Sequence, residues 1–248
     1  IGRREPEDAG RAIGGGICLF ACFAVLLTAV LVGGAEVLAR LMHAPEHAFH
    51  QTVLYIRICG AGSLFIVAYN VLGSSSWISL AAEKPLFDEE MRTFTWVHLD
   101  EKLYTPCGTM QAAGYSYSWF RDALGGEEKR LAAEQGVSAY DLLNRLAEGS
   151  APGARGVLYL PYLLGERSPR WDHDARGAFL GLGVGTTKGD LVRAVLEGVG
   201  YNLKIIRDIL RRSAPMDSLT VIGGGAKGRT WLQILADIWE QELTLPRY

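Results

Sequence analysis

The chain has little net charge, few thiols and few imidazoles. Its 25 Lys and Arg residues face 27 Asp and Glu, a formal net charge of -2 over 248 residues. That balance excludes the strongly basic surface that nucleic-acid binding requires. The four cysteines, Cys18, Cys22, Cys59 and Cys107, are scattered, and three lie in very apolar surroundings. They form no CxxC and have no histidine pair beside them. This argues against a disulfide framework and a thiolate metal centre, and for buried thiols in a reducing compartment. The length suits one large domain or two small ones. The chain starts at Ile1 and stops at Tyr248 in mid-pattern, so it reads as a piece of a longer protein.

What is present is unevenly spread. No residue from Ala12 to Ala35 carries a charge, and a bilayer-spanning helix needs roughly 20 such residues. Arg3, Arg4 and Arg11 precede the run and favour a cytoplasmic N-terminal side. The run is too long for a signal-peptide core and lacks a clear small-residue cleavage site. A polar break follows, with Arg40, His43, Glu46, His47 and His50. Ile58 to Leu72 is again uncharged, and Gly60 and Gly62 would let helices approach closely. The expectation is two apolar helices, with membrane contact through 12–35 and 58–72. Two buried helices of a soluble core are the alternative.

The words Leu41-Met42-His43-Ala44-Pro45-Glu46, Tyr55-Ile56-Arg57-Ile58 and Tyr69-Asn70-Val71-Leu72-Gly73 resemble the multidrug and toxic compound extrusion (MATE) transporters. The resemblance implies a transporter fragment over about 1–74, too short to form a transport path. His43, His47 and His50 have nearly helical spacing, but no acidic or thiol partner completes a zinc site. A solvated loop is the simpler reading.

At Gly73-Ser74-Ser75-Ser76 the chain turns polar. Beyond it, strands and helices alternate, the signature of an α/β fold. Strand patterns fall at 93–99, 157–160, 178–182, 219–222 and 243–245. Helical patterns fall at 113–124, 127–136, 139–148, 188–212 and 229–239. Thr187 and Asp190 form a variant capping box for the long helix. The apolar residues Leu191, Ala194, Val195, Val199, Ile206 and Leu210 make a stripe that packs on a sheet.

Gly177-Ala178-Phe179-Leu180-Gly181-Leu182, then Asp190 to Glu197, then Val221-Ile222-Gly223-Gly224-Gly225-Ala226-Lys227 resemble in order the FGGY carbohydrate kinases. Leu164-Gly165-Glu166-Arg167-Ser168-Pro169 with Trp171-Asp172 resembles the xylulokinase branch. The resemblance covers about 73–248. It implies the C-terminal one of two ribonuclease-H-like, actin-like domains, the one that carries most of the ATP site. It places Gly73, Ser74 and Ser75 at the phosphates, with Ser74 where the family has threonine. Gly114 and Ser118 would face ATP, Gly225 and Ala226 would lie along adenine and ribose with Gly224 beside them in the nucleotide site, and Arg229 would contact the nucleotide. Mg²⁺ would arrive through the ATP phosphates.

The residues read independently agree. Glycines between an apolar strand and a helix let a ligand approach the backbone, and the helix start offers free amides. Glu166 and Arg167 either line the cleft or tie down their loop. Arg121 with Asp122 reads as a structural pair or a solvated face, and Glu197 as a helix-face carboxylate.

Phosphoryl transfer also needs a positioned acceptor and a base. The family supplies an aspartate shortly before the Gly-Thr-Ser turn, where this chain has Glu46 and no aspartate from Ala44 to Leu72. No catalytic or metal-ligating residue is therefore assigned. The expected function is ATP-dependent phosphorylation of a pentulose such as xylulose by ancestry, inactive in this chain alone. A noncatalytic nucleotide-binding module and a transporter fragment are the alternatives. The expected location is cytoplasmic for 73–248, with the N-terminal segment in a membrane.

Overall fold

A computed structural model describes residues 33–41, 49–50, 52–53, 68–98 and 102–246. The chain divides into two compact units, Ile1–Ile66 and Val67–Tyr248. In the first, helix α1 (Ala35–Leu41) buries Ala35 and Ala39 with Val53 and Phe49. The Arg40 guanidinium lies 5.5 Å from the centre of the Phe49 ring. The apolar run at 12–35 lies almost entirely outside the described residues, as do His43 and His47. Among the described residues, no helix is long and apolar enough to cross a membrane, and no metal-binding cluster forms.

The second unit is built on a six-stranded sheet. Strands β1 (Tyr69–Leu72), β2 (Ser76–Ser79), β3 (Phe94–Val97) and β4 (Tyr104–Met110) pair antiparallel. Strand β7 (Leu219–Ile222) runs parallel to β1, and β8 (Leu243–Thr244) parallel to β7. The sheet order is β3-β4-β2-β1-β7-β8. Setting aside the edge strand β3, the order is 3-2-1-4-5 with the second strand reversed, the ribonuclease-H-like arrangement. A smaller antiparallel pair joins β5 (Leu158–Leu160) to β6 (Ala178–Leu180).

Strand β1 corrects the reading of 58–72 as an apolar helix. Its residues alternate half-buried and buried, the period of a strand with two unequal faces. Asn70 is buried and donates from Nδ2 to the Ser76 hydroxyl at 2.9 Å and the Trp77 carbonyl at 3.1 Å. A polar residue in an apolar run thus fixes the β1–β2 hairpin. The part of that run at 58–67 lies outside the described residues.

The helices are α2 (Gly114–Ala123), α3 (Gly126–Gln135), α4 (Ala139–Glu148), α5 (Lys188–Leu210) and α6 (Arg229–Trp239). The Thr187–Asp190 capping box forms, with the Thr187 amide 2.8 Å from the Asp190 carboxylate. Ser138 and Asp141 make a second box at α4. Helix α5 departs from the single-stripe expectation. Val192, Leu196, Leu203 and Ile206 are fully buried, and Arg193, Glu197, Asn202 and Arg207 are buried with them. The sheet, α4, α6 and β5 all pack against it, so its polar residues are enclosed as well. Each finds a partner, as buried charge requires.

Candidate functional site

The β1–β2 turn closes on itself, its Gly73 amide donating to the Ser75 carbonyl at 3.0 Å. The Gly73 and Ser74 carbonyls then accept from the amides of Gly114 and Tyr115, each at 2.9 Å. This ties the start of α2 to the turn. A Cβ on Gly114 would lie 2.5 Å from the Gly73 oxygen, so only glycine allows the approach. The first amides of α2 are consumed by this tie.

Around the junction opens a cleft of about 1050 Å³. Gly73 and Ser74 form one edge, Gly114 and Ser118 the next, and Gly224, Gly225 and Arg229 the third. These residues, which the sequence placed at the ATP site, therefore share one cleft. Ser75 is exposed beside the turn but does not line it. Ala226 packs against the core and is likewise not a lining residue. The Ser118 hydroxyl is occupied by the Tyr115 carbonyl at 3.0 Å.

The three glycines differ in role. Gly223 has φ 98°, and a Cβ there would meet the Leu72 carbonyl at 2.8 Å. A Cβ on Gly225 would meet the Leu72 side chain at 2.5 Å. Its missing side chain makes room for the core, so a substitution there reports packing. Gly224 faces open space and is the position where an added side chain tests the cleft itself.

Sequence reasoning missed the fourth wall. Helix α4 contributes Tyr140, Asp141, Asn144, Arg145 and Glu148. The i, i+4 and i+3 spacing of Asp141, Arg145 and Glu148 shows a shared helix face, but nothing local shows what that face meets. The Glu148 carboxylate accepts from the Thr230 hydroxyl at 2.6 Å, joining α4 to α6. Deeper in, the Tyr117 ring lies 5.0 Å from Tyr140 and 5.8 Å, edge-on, from Trp231. The Tyr117 hydroxyl donates to Asn144 at 2.8 Å, and burial pushes its pKa upward.

The electrostatics are uneven. Arg145, Lys227 and Arg229 line the cleft, and none forms an ion pair among the described residues. The acids are engaged, Glu148 with Thr230 and Asp141 with the Ser138 amide at 3.2 Å. Three unpaired cations beside an aromatic floor suit a ligand with an anionic end and a flat apolar end. The carboxylates make no cluster that would hold a metal without the ligand.

Glu166 lies outside the cleft. It is buried, and its carboxylate accepts from the Gln111 amide at 2.9 Å, the Arg167 amide at 2.8 Å and Asn202 Nδ2 at 3.0 Å. Burial outweighs these bonds and pushes its pKa up to about 7. A raised carboxyl pKa favours folding fully below the ordinary value of 4.5, and the contribution is lost as pH rises through about 7. Glu166→Gln should therefore flatten the stability profile between these limits, a change on the order of 3 kcal/mol. Urea melts of both proteins at several pH values check this; parallel profiles would refute it.

Arg121 pairs with Asp122 at 2.6 Å on the surface and lies over the Tyr140 ring at 5.0 Å. That supports the structural reading of the pair. Glu197 bonds Arg193 at 2.7 Å and the Gly153 amide at 3.0 Å within the core.

The sequence profile of the FGGY family of carbohydrate kinases, C-terminal domain, matches residues 68–248. The match takes in Tyr69–Gly73, words first read as transporter-like. Gluconokinase of Bacillus subtilis is 36% identical over 177 residues, 71% of this chain and 34% of that protein. Xylulose kinase of Staphylococcus epidermidis is 40% identical over 158 residues, 63% of this chain and 29% of that protein. The solved structure of ligand-bound xylulose kinase from Lactobacillus acidophilus superposes with a TM-score of 0.66 at 26% identity, covering 75% of this chain and 37% of that one. The chain thus spans about a third of the length of these relatives.

Proposed function

Because the chain belongs to the FGGY family of carbohydrate kinases, as its C-terminal domain over residues 68–248, we propose that the cleft is an ATP half-site. The observation that carries this reading is the trio of unpaired cations, Arg145, Lys227 and Arg229, around a cleft with an aromatic floor. The cations would hold the phosphates, and the cleft's apolar depth, near the upper end of small-molecule pockets, would take the base. Gly73, Ser74, Gly114, Ser118, Gly224 and Gly225 would bring backbone and hydroxyls close to the ligand. Ser75 and Ala226 would act from behind this wall. Mg²⁺ would enter on the phosphates.

In the whole protein this half-site would serve ATP-dependent phosphorylation of a sugar. The similarity to gluconokinase and to xylulose kinase supports a sugar or sugar acid and extends the acceptor beyond a pentulose. An ATP-dependent kinase of this kind would work in the cytoplasm. The chain has no aspartate from Ala44 to Leu72, where the family pattern would supply the base, which favours ATP binding without turnover by this chain alone.

Calorimetry with Mg-ATP on the 248-residue chain tests the reading, with Gly224→Glu as the probe. The new side chain enters open space and sets a negative charge on an edge of the cleft expected to hold an anionic nucleotide. It should weaken binding by about tenfold or more without lowering the melting temperature. Equal affinity of both proteins would exclude the nucleotide from this edge of the cleft. The chain must not be cut at residue 73, since that removes β1 from the middle of the sheet.

A further inference from the structure

The loop between β5 and β6 is folded tightly against itself and against the sheet. Glu166 donates its amide to the Asp172 carbonyl at 2.7 Å, and a Cβ on Gly165 would lie 2.6 Å from the His173 carbonyl oxygen. The Ser168 hydroxyl donates to the Arg92 carbonyl. This loop presents the Glu166 carboxylate to three donors from three places. Gln111 follows β4 directly, Arg167 belongs to the loop, and Asn202 comes from α5. Gln111 is three residues before Gly114, where α2 and the cleft wall begin.

We infer that Glu166 is a positioning residue for the nucleotide cleft, holding the β4–α2 junction through the Gln111 amide and so setting where Gly114 and Ser118 stand. The inference rests on the ATP reading above. The geometry is specific. Ala113 caps α2 with no side-chain hydrogen bond, and the Ser116 hydroxyl of the first turn donates back to the Ala112 carbonyl at 2.6 Å, a bond within the junction that leaves its anchoring to the rest of the fold to other ties. One tie is the β1–β2 turn, through Gly73 and Ser74. The other is Glu166, which reaches the same junction from the far side. Ala112 and Ala113 between them are fully buried and have no polar side chain to anchor the segment. The Glu166 Oε1 atom receives both the Gln111 and the Arg167 amides. A neutral amide in its place keeps that acceptor, whereas alanine leaves both donors buried and unpaired.

The test uses the 248-residue chain at pH 8, well below the melting temperature of every variant. Amide hydrogen exchange is followed in peptides covering 110–118 and 225–232, and Mg-ATP affinity is measured by calorimetry. Glu166→Ala should raise exchange at 110–118 selectively and weaken Mg-ATP by about tenfold. Glu166→Gln should restore both to within about threefold of the parent. Leu210→Ala, a fully buried position outside the cleft lining, should lower stability and leave the affinity of the folded protein unchanged. Unchanged exchange at 110–118 in Glu166→Ala, or an affinity loss equalled by Leu210→Ala, would overturn the inference while the ATP reading stands. Failure of the parent chain to bind Mg-ATP would instead overturn the ATP reading, and with it the site that Glu166 is inferred to serve.

Discussion

Gly114→Ala is expected to destabilise the 67–248 unit by about 2–3 kcal/mol and to remove measurable Mg-ATP binding. The added methyl would sit 2.5 Å from the Gly73 carbonyl oxygen and 3.2 Å from its carbon. Both are backbone atoms, so no flexible side chain can yield. Relief requires the β1–β2 turn and α2 to separate, which breaks the Gly73–Gly114 and Ser74–Tyr115 hydrogen bonds. The same separation moves two walls of the cleft apart. Urea denaturation gives the stability change and calorimetry the binding change. Full retention of both would mean that the junction tolerates a side chain and that close approach is not what Gly114 provides.

Glu197→Ala should cost more stability, about 3–5 kcal/mol, and leave the nucleotide affinity of the folded protein intact. Arg193 and Glu197 are one helical turn apart on α5 and both are buried. Glu197 also accepts from the Gly153 amide, and Arg193 donates to the Ser150 carbonyl at 3.0 Å. The pair therefore fastens the segment after α4 to the central helix. Removing the carboxylate leaves a guanidinium enclosed without a countercharge and an amide without an acceptor. Replacing both residues together, as Arg193→Met with Glu197→Leu, should cost less than the single change, because no lone charge stays buried. Chemical melts decide the magnitudes. A single-mutant loss below about 1 kcal/mol would show that the pair is hydrated. A weakened Mg-ATP affinity in fully folded Glu197→Ala would give this carboxylate a functional part that its geometry does not support.

These two positions also show how far local sequence carries. The helices, the long helix with its Thr187–Asp190 box, and the glycine turn before α6 were legible, because each depends on residues close together in the chain. The hairpin at 69–79 was not. Asn70, Ser76 and Trp77 form a strand pair whose hydrogen bonds cannot be seen in an apolar run. Strand β4, Tyr104–Met110, carries Pro106 and Gly108, which count against a strand when read alone. It forms because β2 and β3 pair with it on both sides.

By itself the sequence determined the α/β alternation, the order of the glycine turns and the family to which they belong. It also determined the chemistry at hand, the hydroxyls and cations of the kinase-like part. Only the tertiary structure decided that 69–72 is a sheet strand, that Gly225 serves Leu72 while Gly224 faces the cleft, and that Ala226 turns to the core. It also brought α4 and its Arg145 to the site, and Glu166 to the β4–α2 junction 55 residues away. The physical reason is the same throughout. Hydrophobic periodicity and capping act within a few residues, whereas burial and close backbone approach depend on which distant segment arrives.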